Sequence, residues 1–385
     1  MASLKQASLV RDALQVKASH GKGLLRQALD VLRIKRRNPT LGATDYFAYR
    51  LYDSEFIGSS RPEDFLGWRA QEDLGRALNL RTLVLPAWDK ASFAVVAGAY
   101  DLPIPALRAF YRPGPMQFDS FGGVGLNTPK QLAEWLRTQG DWPLFAKPSY
   151  SQKGLGCHRL AGYESSTDSL LTTDGGRLTV DHFVTSIVEH PSGPYYRREM
   201  GYLFQEALEP HRSIADLLGN QVISGVRVVV IQDENGPEVA TAVWKIAAGN
   251  HDTDNWRRGT DGNIIAAIDL RDGRLQGAVE GIWPNARFLT KSPTTGRSFE
   301  NFHVPDFERI LGLCTRAATI FPLLRIQFWD IAPTDRGPVI LELNDLGGIG
   351  SLQLHGKGIL TRKMRALLCE YGDPSTFSWI EREGG

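Results

Sequence analysis

The stretch Leu324-Arg325-Ile326-Gln327-Phe328-Trp329-Asp330-Ile331-Ala332, turned at Thr334-Asp335-Arg336-Gly337 into Val339-Ile340-Leu341-Glu342-Leu343-Asn344, reads as a β-hairpin. Both arms are apolar, and the turn is polar and ends on glycine. Glu342 and Asn344 lie two apart, so strand alternation sends both side chains to one face. Asp330 sits in the facing arm. Two carboxylates and an amide oxygen are hard donors suited to magnesium, which itself bridges nucleotide phosphates. The alternative, that Asp330 and Glu342 face solvent on a surface hairpin, must contend with Ile331, Ile340, Leu341 and Leu343, which leave little polar face to expose.

Upstream of this hairpin the pattern stays antiparallel. Val222 to Gln232 and Glu238 to Ala247 are apolar, largely β-branched runs joined through Asn235-Gly236, and Ile264 to Leu270 with Asp272-Gly273 and Leu275 suggests another hairpin. Phe307, Ile310, Leu311, Cys314 and Ala318 share one face of a helix over 305–320, and a last helix runs over 358–371. Before residue 210 the reading is mixed. Thr128-Pro129 starts a helix that ends at Gly140, and Leu144 to Lys147 is a strand stopped by Pro148. A glycine loop, Ser149 to Gly156, follows, then a helix over 181–189 and a strand over 202–208. Residues 1 to about 60 read as helical, with Leu24, Leu25, Ala28, Leu29 and Leu32 at helical spacing. Another helical stretch spans 63–78, and a short apolar strand, Thr82 to Pro86, leads into Asp89-Lys90.

Several cations and polar residues sit inside apolar strands. Lys147, before Pro148, Ser149, Ser151, Lys153, Gly154 and Gly156, suits phosphate: a point charge beside small residues that let backbone N–H groups approach. Gln205-Glu206 lies within Leu203 to Leu208, either as an edge that pairs with an adenine or as an ordinary strand with exposed polar residues. Lys245 and Arg227 lie in paired strands; each alone would snorkel to solvent, but together they favour an anion.

The bulk numbers set limits. At 385 residues the chain is long enough for two or three domains, and its 42% hydrophobic and 23% charged content is that of a globular protein. A net charge of +1 gives no overall pull toward nucleic acid or membrane, and Arg33 to Arg37 reads as a solvated helix end. No segment approaches the roughly 18 apolar residues of a spanning helix, and Met1 to Val10 lacks a signal-like apolar core. Cys157, Cys314 and Cys369 have no metal-type spacing and read as reduced thiols, so a cytoplasmic location is expected. His158 and His182 read as satisfied or surface residues rather than catalysts.

In order, Asp89-Lys90-x-x-Phe93, Leu102-Pro103-x-Pro105, Ala146-Lys147-Pro148, the glycine loop, Gln205-Glu206, Lys245, Asp330 and Glu342-x-Asn344 resemble the ATP-grasp superfamily. Asp45-Tyr46-Phe47, Glu209-Pro210-His211, Gly225-Val226-Arg227-Val228-Val229, Asp254-Asn255-Trp256, Ile268-Asp269-Leu270 and Trp329-Asp330-Ile331-Ala332 resemble its sugar-transfer-associated family, and the likeness runs from about 45 to 370. The resemblance implies an α/β (α+β) ATP-grasp fold, two lobes with ATP in the cleft, beside a helical N-terminal segment. The expected divisions are 1–62 helical, 63–114 a short region before the core, 115–208 the N-terminal lobe and 209–385 the C-terminal lobe with the metal site.

It further implies that Lys90 and Lys147 meet the α- and β-phosphates under a flap carrying Ser151 and Gly154. Gln205 would meet the adenine amino group, the Glu206 and Leu208 backbones the ring edge, and Lys245 the β- and γ-phosphates. Asp330, Glu342 and Asn344 would hold Mg2+, and Arg227, Lys245 and Asn255 would act on the reacting groups. The implied reaction is ADP-forming ligation of a small-molecule or peptide carboxylate to an amine through an acyl phosphate, with no nucleic-acid or membrane partner and oligomerisation left open. A phosphotransferase and a nucleotide-binding scaffold of a sugar-transfer system are the alternatives. In one respect the pattern departs. Many amide-forming members carry an arginine two residues before the metal aspartate, where this chain has Phe328, so Arg227, Arg257 or Arg258 would have to supply the guanidinium. Acceptor choice would fall to the loops 249–262 and 347–358.

Overall fold

In the computed structural model the described residues are 2–114, 122–151, 154–189, 197–248, 254–256, 259–260 and 262–380, with side chains from residue 8 onward. Arg257 and Arg258 lie outside them, as do Lys153 and most of the 249–262 loop.

Two seven-stranded sheets carry the architecture. The first contains β1 (Leu107–Tyr111), β2 (Val124–Leu126), β3 (Leu144–Pro148), β4 (His158–Glu164), β5 (Ser169–Thr172), β6 (Arg177–Thr179) and β7 (Tyr202–Glu206), in the order β2-β1-β7-β3-β4-β5-β6. The β1–β2 pair is parallel and every other pair antiparallel. One face packs on the helix Pro129–Thr138, whose start is set as the sequence predicts: Thr128 accepts from the Gln131 N–H, Gln131 answers to the Thr128 N–H, and Pro129 opens the first turn. The sheet draws β1 from the 63–114 stretch, ahead of the lobe boundary expected at 115, because β1 pairs with β7.

The second sheet is wholly antiparallel: β8 (Val226–Asp233), β9 (Gly236–Ile246), β10 (Ile264–Ile268), β11 (Leu275–Glu280), β12 (Arg287–Leu289), β13 (Ile326–Thr334) and β14 (Gly337–Asn344), in the order β12-β11-β10-β9-β8-β13-β14. Alternation divides its residues. Trp244, Val228 and Trp329 turn to one face and pack with Ile310, Cys314 and Ala317 of the helix Phe307–Ala318. Val229, Ile265 and Phe328 turn to the other, packing with Leu74 of the helix Gln71–Leu78 and Leu367 of the helix Arg362–Tyr371. Arg227 and Asp330 share this second face, farther along the same strands. A β-bulge at Leu341 sets Glu342 directly opposite Asp330.

Thr82 to Pro86 is not a strand. Arg81–Leu83 and Leu85–Trp88 are short helical turns, with Pro86 in the first turn of the second, where its missing N–H costs nothing. Both turns are pinned by Asp345, which accepts from Arg81 Nη1 (2.6 Å) and Trp88 Nε1 (2.9 Å). The expected N-terminal helices are present as α1 (Ala2–His20) and α2 (Leu24–Arg37), but the residues that α2 turns toward the body are Gln27, Val31 and Ile34.

Asn79 joins the helix Gln71–Leu78 to the second sheet. Its Nδ2 donates to the Ile326 carbonyl (2.9 Å) and its Oδ1 accepts from the Ile326 N–H (3.0 Å), so one buried side chain satisfies both polar groups at the start of β13. Asn79→Ala leaves both groups without a partner and is expected to lower stability by about 2–4 kcal/mol, read as a fall in the urea unfolding midpoint with an unchanged slope.

Candidate active site

The C-terminal side of the site is built on one carboxylate. Asp330 on β13 pairs in register with Arg227 on β8 and Glu342 on β14. The buried Asp330 carboxylate accepts from Arg227 Nε (2.8 Å) and Nη2 (2.6 Å) and from Lys245 Nζ (3.0 Å). Lys245 also donates to Asp254 Oδ1 (3.3 Å), whose other oxygen accepts from the Gly225 N–H (2.8 Å). A buried lysine and a half-buried arginine thus face two buried carboxylates.

Burial raises the pKa of Asp254, with Lys245 pulling the other way. At Asp330 burial also works against the charge, but Arg227 and Lys245 outweigh it and hold the carboxyl well below the usual range. Burial likewise opposes the Lys245 charge, and Asp254 and Asp330 outweigh it, leaving its pKa raised.

The opposite side carries two lysines. Lys147 ends β3 and is buried, and Lys90 opens the helix Lys90–Ala99. The start of that helix is locked onto the strand end: Lys90 N–H donates to Ser149 O (3.0 Å), Ala91 N–H to Asp89 Oδ1 and Ser149 Oγ, and the Ser149 hydroxyl to Asp89. Lys90 Nζ donates to Ser151 O (3.2 Å) and stands 3.7 Å from Glu342 Oε2. Burial, then the charge of Lys90, push the Lys147 pKa down to about 8.

Between the two sides lies a cleft of about 490 Å³ lined by Lys90, Lys147, Ser151, Gly154, Gln205, Glu206, Leu208, Arg227, Lys245, Asn255, Asp330, Glu342 and Asn344, so every site residue read from the sequence comes to one place. Gly154 and Gly156 take left-handed backbone that suits a tight loop, and Tyr202 donates its hydroxyl to the Gly156 carbonyl. Gln205 donates Nε2 to Pro105 O (3.3 Å), while its Oε1 is buried without a partner among the described residues. Glu206 spends its N–H on Ala106 O (2.9 Å) and its carboxylate on the Ala106 N–H and Arg336.

Residues to which the sequence reading gave no role also line the cleft: Asp254, Asp345, Trp88 and Tyr150. Asp254 enters that reading only as part of the Asp254-Asn255-Trp256 motif, and Asp345 adjoins Asn344, the one signal it offers. Phe328 is buried beneath Gly347, where a Cβ would stand 1.8 Å from its ring, and the Gly347 carbonyl accepts from Arg227 Nη1 (2.7 Å). The aromatic ring thus props the loop that holds Arg227.

The family model for sugar-transfer associated ATP-grasp proteins matches residues 69–367. The chain belongs to that family. Its two-sheet architecture is the ATP-grasp fold. No curated protein matches the chain. It is similar to the solved L-amino acid ligase from Bacillus licheniformis at 10% identity and a TM-score of 0.40, over 78% of this chain and 52% of that one. It is similar also to D-alanyl-alanine synthetase A from Vibrio cholerae O1 biovar eltor (14%, TM-score 0.37, 74% and 61%). A third is the biotin carboxylase domain of Hydrogenobacter thermophilus 2-oxoglutarate carboxylase, solved with MgADP, ADP and bicarbonate (12%, TM-score 0.34, 70% and 42%). The chain spans about half the length of these three structures.

Among the described residues no group of three or more His, Cys, Asp or Glu could hold a metal, and the hard-oxygen donors lining the cleft include the Asn344 amide beside Glu342. Glu342 and Asn344 fit hard-oxygen ligation: they are half-buried, and Asn344 Nδ2 donates to Glu342 Oε1 (3.1 Å), which turns the amide oxygen away from that bond. Asp330 has most of its lone pairs engaged by Arg227 and Lys245.

Gly347→Ala would drive a methyl into the Phe328 ring and lift the carbonyl that Arg227 holds. It is expected to cost about 1–3 kcal/mol, seen as an earlier thermal melt. Adding Phe328→Leu makes room and should restore part of the loss, which a double-mutant cycle measures.

Proposed function

We propose that the chain is an ADP-forming ligase that joins a carboxylate to an amine through an acyl phosphate. The observation that carries this reading is the placing of Lys90 and Lys147 across one cleft from Glu342, Asn344, Arg227 and Lys245. Clustered cations opposite hard-oxygen donors are what phosphoryl transfer demands, since its catalysis is mainly positioning and charge neutralisation. The family match and the bond-forming ligases named above are consistent with it.

In this reading the unpartnered Gln205 Oε1 accepts from the adenine amino group, with the Glu206 carbonyl and the Leu208 N–H on the ring edge. Lys90, Lys147 and the flap residues Ser151 and Gly154 hold the α- and β-phosphates, and Lys245 reaches toward the β- and γ-phosphates. Glu342 and Asn344, with Asp330 behind them, would hold Mg2+, which when bound supplies charge to the phosphate oxygens. A substrate carboxylate oxygen bonds to the γ-phosphorus as the bond to the bridging oxygen of ADP breaks. Arg227, fixed by Asp330 and the Gly347 carbonyl, faces the resulting acyl phosphate, and Asn255 orients the incoming amine. The amine nitrogen then bonds to the acyl carbon, inorganic phosphate leaves with the electron pair, and the nitrogen loses its proton.

The test is ADP release against a panel of carboxylate and amine pairs, with mass detection of products. ADP together with a condensed product supports the ligase. A phosphorylated product without condensation makes it a phosphotransferase, an outcome toward which Phe328 in place of an arginine would point. Nucleotide binding without turnover makes it a scaffold. Glu342→Gln is expected to cut turnover at least about a hundredfold while the thermal melt stays put, and near-wild-type turnover in magnesium sinks the metal assignment.

The lowered pKa of Lys147, about 8, adds a prediction with a sign. An anionic nucleotide needs Lys147 protonated, so above about pH 8 binding must first take up a proton. The ADP dissociation constant should therefore rise by up to about tenfold per pH unit above that point and stay flat below it. Calorimetry across about pH 7 to 10 reads this out, and Lys147→Arg should flatten the profile.

A further inference from the structure

Residues 1–37 carry nine Lys and Arg against two Asp, a net +7 in a chain whose total is +1. They form α1 and α2, which lie before the 69–367 family match. The polarity of α2 is inverted. Its inward side has Gln27 buried, with Nε2 donating to the Ala13 and Lys22 carbonyls, beside Val31 and Ile34. At about 3.6 residues per turn, Leu25, Leu29 and Leu32 fall on the opposite side, and they are 77%, 44% and 64% exposed. Val10 and Leu14 of α1 are exposed as well. A helix that only had to cover the body would turn its leucines in and its glutamine out.

The charges sort the same way. Asp12 accepts from Asn285 Nδ2 (3.4 Å), and Asp30 pairs with Lys22 (2.7 Å) and accepts from the Tyr46 hydroxyl (3.3 Å), with the exposed Arg33 at 4.0 Å, so both carboxylates lie on the side of the body or its hinge. Arg33, Lys35 and Arg36 stay exposed around the leucine stripe. The face offered to solvent is leucine bordered by cations.

We propose that this face docks on an anionic lipid surface, lying along it without spanning it, with the leucines at the headgroup–acyl boundary and the cations among the lipid phosphates. No described helix is long and apolar enough to cross a membrane. The stripe from Leu25 to Leu32 is only about 10 Å long, so apolar burial alone is too weak and the cations supply the second signal. Charge selects this occupant over a second copy, because a two-fold contact through the same face would set the exposed Arg33, Lys35 and Arg36 against their own copies. The net charge of +1, which argued against a membrane partner, averages this hairpin with a remainder of −6.

The full chain is expected to co-sediment with phosphatidylcholine vesicles holding about 30% phosphatidylglycerol, and to stay in the supernatant with pure phosphatidylcholine or in about 0.5 M salt. The triple variant Leu25→Ser, Leu29→Ser, Leu32→Ser should bind at least about a hundredfold more weakly, and so should Arg33→Gln, Lys35→Gln, Arg36→Gln. These side chains face solvent, so the wild-type melting temperature and nucleotide binding should persist; if the triple leucine variant melts early, Leu29→Ser alone should still weaken binding. Absence of wild-type binding to the anionic vesicles, or equal binding by the leucine variants, overturns the proposal. A wild-type dimer that the leucine variant splits gives the face to a second copy. Binding to polyglutamate as tight as to vesicles, and indifferent to the leucines, gives it to an acidic protein; both outcomes overturn the lipid assignment.

Discussion

A carboxylate sealed between two cations organises the C-terminal half of the cleft. Asp330 takes bonds from Arg227 and Lys245, residues 103 and 85 positions away in the chain. Burying any one of these charges alone would cost several kcal/mol (about 3–5 when a partner is removed), so the strands that carry them are held to a single register. A one-residue slip of β8 against β13 would send Arg227 to the apolar face beside Trp329 and leave Asp330 facing a valine. The ion network therefore specifies the alignment of β13 with β8, while on its other side the bulge at Leu341 sets Glu342 opposite Asp330 and at the cleft.

The two sides of the cleft differ in how their cations are satisfied, and that difference separates framework from binding surface. Lys245 has two carboxylates, and its charge is secure despite burial. Lys147 is equally buried but has another lysine as its main electrostatic neighbour, so its pKa falls to about 8. A buried lysine short of an anion is a cost the fold carries, and in the proposed nucleotide complex a phosphate would offset it. Lys245 and Arg227 hold shape without a ligand, and Lys90 already has Ser151 O and Glu342 beside it, whereas Lys147 would gain its partner from that phosphate.

Much of this was legible in the sequence because the site residues sit in strands. A polar residue inside an apolar run at the end of a strand has few places to point, and alternation names the face. Strand placement is what singled out Lys147, Lys245, Asp330, Glu342 and Asn344, and all five line one cleft. What stayed hidden depends on tertiary partners. Asp254 lies in a loop without periodicity, so the sequence placed it in a motif without giving it a role, and its contact with Lys245 supplies one. Thr82 to Pro86 has the composition of a strand, but no neighbouring strand takes it up, and Asp345 holds it in helical turns. The leucine spacing of α2 predicts a helix correctly, yet periodicity alone cannot tell which side meets the body.

Phe328, where many amide-forming members carry an arginine, takes part in how Arg227 is held. An arginine at that position would share the face of Asp330 and compete with Arg227 for its oxygens. The phenylalanine instead joins the core beneath Gly347, and the loop it supports offers a carbonyl to Arg227. Arg227 thereby gains two fixed anchors, Asp330 and Gly347, and its planar guanidinium is held in place with little rotamer freedom left to lose. In the proposed ligase the guanidinium would come from β8 instead of β13, and the packing leaves room only for glycine at 347, where no side chain fits over the ring.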